Sequence, residues 1–262
     1  MIEADIHKSD DTRRSREKVR SAVTARPMRS TCPPGARPGV PQERAARPGG
    51  EVGWLFAGAG SPGDYDVVEA EVIRLAHPRR GHFDLGTGYH GDVWLDLDAL
   101  FLRPAMLRPH VRWLSDRLSE HRIDAVCGPV EGGAFLAQAI ADLMGSSFLA
   151  AYRCAAPRPG EVTAYRLPCV RGGIGGWRVA IVDDAVNAGT AVRACYHQVR
   201  KSGAIPVAVA ALLSLGRASA MVAATMSVPF YTVGTIPGQT WPAEKCPLCA
   251  DGTPIAEPLV GS

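Results

Sequence analysis

From Tyr65 onward the chain alternates between two apolar rhythms. Val67, Val68, Val72, Ile73 and Leu75 recur near helical spacing, and Asp64 stands where it could cap the start. Two short extended pieces follow, about His82–Leu85 and Val93–Leu97, split by the turn-forming Gly86-Thr87-Gly88. Pro109 opens a helical stretch through His121, with Val111, Leu114 and Leu118 on one face. Beyond it the pattern switches repeatedly. Ile123–Cys127, Ser147–Tyr152, Arg178–Val182, Ile205–Leu213 and Pro229–Val233 read as buried strands, and a short strand is possible at Val162–Leu167. Gly133–Met144, Gly189–Ser202 and Ala218–Thr225 read as helices. Strands alternating with helices predict an α/β fold, a mostly parallel sheet flanked by helices, preceded by an N-terminal helix and hairpin. Ligands of such sheets sit at the carboxyl ends of the strands, so the chemistry should lie just after Cys127, Val182 and Leu213.

Residues 1–50 break this pattern. They hold six prolines and no aromatic residue, and read as a disordered basic arm. They carry 11 Lys and Arg against 6 Asp and Glu; the remaining residues carry 18 against 20. The basic character therefore belongs to the tail, and the body offers no stripe for nucleic acid. The body, 51–262, reads as one domain: a hairpin region at about 81–105, a core at about 120–235 and a C-terminal tail at about 240–262. The longest apolar run, Ala204–Leu215, is too short to cross a bilayer. The first residues carry charges where a secretory signal would be apolar, so the expected location is cytoplasmic with reduced thiols. Of the seven cysteines, Cys246 and Cys249 form a lone C-x-x-C. With no second pair at comparable spacing, it reads as a Pro- and Gly-rich turn, and no residue is expected to hold a metal directly.

The most informative stretch is Val179-Ala-Ile-Val-Asp-Asp-Ala-Val-Asn-Ala-Gly-Thr-Ala191. An apolar strand leads into Asp183 and Asp184, then into a loop of small residues and a helix. Such a loop lets backbone N–H groups approach a phosphate at the positive end of the helix dipole, and Thr190 can add a hydroxyl. Neighbouring carboxylates would repel that phosphate, so they suit hydroxyls or a cation. A phosphorylated sugar supplies both.

This stretch resembles the 5-phosphoribosyl-1-pyrophosphate (PRPP) signature of type I phosphoribosyltransferases. The resemblance implies that Asp183 and Asp184 meet the ribose hydroxyls, and that Ala185, Val186, Asn187, Ala188, Gly189, Thr190 and Ala191 hold the 5-phosphate. Gly128, Pro129, Val130, Glu131, Gly132 and Gly133 look like the family's pyrophosphate loop, the glycines permitting positive φ and an exposed backbone. Gly81-His-Phe-Asp-Leu-Gly-Thr-Gly-Tyr-His90 followed by Val93-Trp-Leu-Asp-Leu resembles the base-covering hairpin of orotate phosphoribosyltransferases, which implies that the N-terminal hairpin and helix form a hood and places Trp94 and Leu95 at the base. Read alone, it is a hairpin with Trp94 in the core. Arg217 ends an apolar strand, where the same family has a base-contacting arginine; a guanidinium fork suits the orotate carboxylate. Gly216 stands in place of the usual Asp. The tail CPLCADGTPI is also similar to that of some members.

One loop departs from the family. Arg153 matches its first basic position, but Cys154 and Pro157 replace lysines and Pro159 replaces a histidine; Arg158 keeps a charge. No lysine lies between Lys18 and Lys201. Arginine can neutralise pyrophosphate but is a poor proton donor. The resemblance implies transfer of a phosphoribosyl group from PRPP to orotate in pyrimidine (UMP) biosynthesis, with Mg²⁺ bound mainly through PRPP. Asp183, Asp184 and Arg153 are the catalytic candidates, and Asn187, Arg217 and Trp94 are the orotate-binding candidates. It also implies a homodimer, with neither membrane nor nucleic acid as partner. Two alternatives stay open: transfer to another base, or a PRPP- or nucleotide-binding regulator without turnover.

Overall fold

In the computed structural model, the described residues are 62–86, 88–130, 132–154 and 164–257. Helix α1 spans Pro62–Leu75. Asp64 thus lies within the first turn of α1 rather than ahead of it. The hairpin strands are β1 (Arg79–Asp84) and β2 (Tyr89–Trp94). The extended reading of Val93–Leu97 is half right. The Asp96 side chain accepts from the Ala99 backbone N–H and caps a short helix α2, Leu97–Phe101, that the apolar pattern did not announce. Helix α3 runs Pro104–Ser119, with Pro109 inside it rather than at its start. Pro104 occupies the first turn, where a missing N–H costs nothing. Pro109 sits on the exposed face, opposite buried Leu107, Val111, Leu114 and Leu118, which hold the helix to the core.

The main sheet follows. Strands β3 (Ala125–Pro129), β4 (Ser147–Arg153), β6 (Arg178–Val186), β7 (Ile205–Leu215) and β8 (Phe230–Ile236) are parallel, and β5 (Tyr165–Arg166) runs antiparallel on β4. The order is β5-β4-β3-β6-β7-β8. Between them come α4 (Gly132–Met144), α5 (Thr190–Lys201) and α6 (Ala218–Met226). The two-residue alternation divides the core. Val126, Ala180 and Val182 face α1, α3 and α4, whereas Ala125, Cys127, Val179 and Ile181 face α5 and α6. After β3 the chain moves outward to β4; after β6 it moves the other way, to β7. The gap between the carboxyl ends of β3 and β6 is therefore the point where the strand order reverses, the place where open α/β sheets bind ligands.

A second sheet, β1-β2-β9, forms the hood. Strand β9 (Thr240–Pro242) comes from the C-terminal tail and pairs antiparallel with β2, Tyr89 facing Pro242 and Gly91 facing Thr240. A 3-10 turn (Ala243–Lys245) and α7 (Pro247–Ala250) complete the tail. Among the described residues, no helix is long and apolar enough to cross a membrane. Cys127, Cys154, Cys195, Cys246 and Cys249 are free.

Candidate active site at the strand-order reversal

Strand β6 continues past Val182 through both acids to Val186, because Asp183 and Val186 pair with Ala211 and Ser214 of β7. The acids therefore belong to the strand end and not to a loop after it. Val186 is buried in the core and Ala185 packs against it, so their side chains are structural. The connecting loop shrinks to Asn187, Ala188 and Gly189. Gly189 has φ 68°, which favours glycine; a Cβ there would lie 2.7 Å from Met221 Cε, the mobile end of a flexible side chain. It hands the chain to α5, where the Thr190 hydroxyl is buried without a hydrogen-bond partner and Ala191 is the second helical residue.

The two acids meet the loop after β3. A Cβ on Gly133 would lie 2.6 Å from Asp183 Oδ1, and one on Gly132 would overlap Asp184 Oδ2. A Cβ on Gly128 would overlap the Gly133 carbonyl. None of these three glycines has positive φ. Their requirement is close approach, not the left-handed backbone that the sequence suggested. Gly128 and Pro129 are buried in β3, and the Val130 N–H is committed to Ala151 O at 2.8 Å, extending the parallel ladder. The backbone expected to be exposed at Gly128 is thus used internally, as is that of Val130. Glu131 lies outside the described residues.

Burial raises both carboxyls above the ordinary range, Asp183 well above it, with Asp184's charge as its next cause. The Asp184 N–H donates to Asp183 Oδ1 at 3.1 Å and the Ala185 N–H to Asp184 Oδ1 at 2.7 Å. These bonds favour the charged forms but do not offset two buried negative charges side by side. Asp98, at the start of α2, adds a smaller upward push on Asp184.

The other candidates divide. Arg153 ends β4, exposed, with Nη2 3.5 Å from the Tyr165 hydroxyl. The stretch 155–163, including Pro157, Arg158 and Pro159, lies outside the described residues. Asn187 Oδ1 accepts from the Thr240 hydroxyl, tying the loop after β6 to β9 of the hood. Arg217 is exposed just beyond β7, beside Gly216, whose N–H donates to Ile236 O at 2.9 Å. Asn187 and Arg217 therefore stand at the ends of neighbouring strands. Trp94 is half-buried at the open end of the hairpin, its ring 6.0 Å from Phe83, and Leu95 is buried in the core. Leu95 thus belongs to the core, whereas Trp94 lies outside both core clusters. A cavity of about 310 Å³ lies elsewhere, between α3 and the end of α4, lined by Arg112, Ser115, Asp116, Ser119, Leu143 and Met144.

No family model matches the chain. Among solved structures, the adenine phosphoribosyltransferase of Rhodothermus marinus superposes with a TM-score of 0.54 at 19% identity, covering 65% of this chain and 99% of that one. Sheet, hood and acid pair thus define the type I phosphoribosyltransferase fold. The orotate phosphoribosyltransferase of Caldanaerobacter subterraneus subsp. tengcongensis is 31% identical over 182 residues, 68% of this chain and 88% of the relative. That of Thermus thermophilus is 29% identical over 194 residues, 73% of this chain and 99% of the relative. The chain belongs to the orotate phosphoribosyltransferase family.

Proposed function

We propose that this chain transfers the 5-phosphoribosyl group of PRPP to a ring nitrogen of orotate, giving orotidine 5′-phosphate and pyrophosphate. The observation that carries the reading is the convergence of Gly132 and Gly133 on Asp183 and Asp184 at the strand-order reversal. In this reading the carboxylates of Asp183 and Asp184 hold the ribose hydroxyls and stabilise positive charge at the anomeric carbon as pyrophosphate departs. Backbone N–H groups at the start of α5, with the Thr190 hydroxyl, hold the 5-phosphate; the unpartnered state of that hydroxyl supports the role. Gly132 and Gly133 open α4 beside the acids and give the pyrophosphate its backbone donors. Arg153 neutralises the leaving group, and Arg217 grips the orotate carboxylate with Asn187 alongside. Trp94 supports the hood from the Phe83 side.

Mg²⁺, bound mainly through PRPP oxygens, supplies charge neutralisation on the pyrophosphate. The residues fit it: Asp183 and Asp184 offer hard oxygen donors, and their raised proton affinity marks a place where positive charge is wanted. A homodimer working in the cytoplasm completes the reading. The test is pyrophosphate release from PRPP and Mg²⁺ across a panel of bases. Turnover with orotate alone supports it. Turnover with a purine base instead replaces the substrate, and PRPP binding without turnover on any base turns the protein into a sensor, the outcome that the lysine-poor segment from Arg153 favours.

A further inference from the structure

Four side chains that take no part in the reaction meet under the hood. His82 lies on β1, His90 on β2, Cys246 ends the 3-10 turn and Cys249 lies in α7. One ligand atom from each falls within 4.8 Å of all the others. His82 Nε2 is 3.0 Å from His90 Nδ1, 3.4 Å from Cys246 Sγ and 3.6 Å from Cys249 Sγ; Cys249 Sγ is 3.3 Å from His90 Nδ1. Zinc takes nitrogen at about 2.0–2.1 Å and thiolate sulfur at about 2.3 Å, so atoms on the edges of its tetrahedron lie roughly 3.3–3.8 Å apart. The four measured edges match that range to within a few tenths of an ångström.

We propose that His82, His90, Cys246 and Cys249 form a closed, structural zinc site that fastens the C-terminal tail to the hood hairpin. Two thiolates and two imidazoles in a tetrahedron suit Zn²⁺ and are foreign to Mg²⁺, which takes oxygen donors. The outer contacts fit as well. His82 Nδ1 lies 2.8 Å from the Thr253 carbonyl, to which only a protonated Nδ1 can bond. That contact fixes the tautomer and leaves the Nε2 lone pair aimed at the other three ligands. His82, His90 and Cys246 are buried, while Cys249 is exposed and gives the ion an entry path.

The backbone prepares the same junction. Strand β9 pairs with β2, the Ala243 N–H donates to Gly88 O at 3.0 Å, and the Ala256 N–H donates to His82 O at 2.7 Å. The C-x-x-C pair thus does have a partner pair, H-x7-H on the hairpin, hidden in the sequence because it lies some 160 positions earlier. The ion would clamp the segment that carries Thr240, the residue holding Asn187. Only this last link to activity rests on the proposed transferase reading.

The experiment uses the full chain, purified under reducing conditions without chelator. Expected are one equivalent of zinc per chain and, after exchange, a Co²⁺ spectrum with thiolate charge-transfer and intense tetrahedral d–d bands. Cys249→Ser, an exposed change that leaves the core intact, should weaken zinc binding by more than the roughly 10–100-fold that losing an outer partner costs. His90→Gln should do the same, and both should leave only one of the two kinds of ligand contribution diminished in the cobalt spectrum. Chelation should lower the melting temperature of the native chain and leave that of Cys249→Ser unchanged. Failure to take up zinc or Co²⁺, an octahedral cobalt spectrum, or equal metal content in native and variant proteins overturns the proposal. None of these readouts uses PRPP or a base, so they stand apart from the test of the transferase reading.

Discussion

The crevice between β3 and β6 and the hood above it are built on opposite plans. In the crevice each candidate unit is a continuous run: residues 128–133 at the end of one strand, 183–190 at the end of another. Parallel pairing of β3 with β6 sets those runs side by side, Cys127 facing Ile181. In the hood no run suffices. Its third strand is Thr240–Pro242, and its buried His82 and His90 meet cysteines from the tail. A site placed by a parallel ladder needs only local motifs and a register. A site placed by a returning tail needs long-range closure, with an entropic cost that grows with loop length. Crevice variants should therefore strike chemistry and spare assembly; hood variants should do the reverse.

Asp184→Asn is the sharpest probe of the first half of that contrast. The amide is isosteric and its oxygen can still accept from the Ala185 N–H, so the fold should survive. Turnover should fall at least about a hundredfold, the scale of losing one preorganised electrostatic group. Turnover near the native level would remove Asp184 from the mechanism. Next comes Arg217→Ala. Losing a charge-assisted bond costs about 1.5–3 kcal/mol, so KM for orotate should rise roughly 10–100-fold while KM for PRPP holds. An equal rise in both would make Arg217 a structural residue. Smaller again is Thr240→Val, which cuts the hood's hydroxyl from Asn187. One neutral hydrogen bond is worth about 0.5–1.5 kcal/mol, so kcat/KM should drop a few-fold. A drop as large as that of Asp184→Asn would erase the distinction between crevice and hood.

The same contrast explains what could be read in advance. The five parallel strands and three of the helices between them were legible because each is a short apolar run with its own period. The acid pair and its glycine-threonine loop were legible because they are contiguous. Their exact element was not: β7 offers Ala211 through Ser214 as partners, and that ladder pulls Asp183–Val186 into the strand. The glycines of 128–133 were singled out for the wrong reason, since tight packing is invisible in a lone strand. Helix α2 was lost because a five-residue helix shows no periodicity, only the cap at Asp96. Strand β9 was lost because three residues carry no pattern without the β2 edge that they cover.

The gentlest probe returns to Asp183, where burial and the Asp184 charge lift the carboxyl's pKa above its ordinary value near 4. A carboxyl held that way binds its proton more tightly in the folded chain than in the unfolded one. Its protonated form therefore favours folding at low pH. That contribution is present below the ordinary value and is lost as pH rises through the raised one. Near neutral pH the pair, titrating as a unit, destabilises the ligand-free protein. Asp183→Asn removes the charge and keeps an oxygen for the Asp184 N–H. The variant should therefore melt above the native chain at pH 7.5 and draw level with it as the pH falls below the ordinary carboxyl range, although its turnover falls. The difference between the two proteins is the measurement, since carboxylates elsewhere titrate alike in both. Parallel melting curves across that range would mean that the acid pair is solvated and that its two charges do not oppose folding.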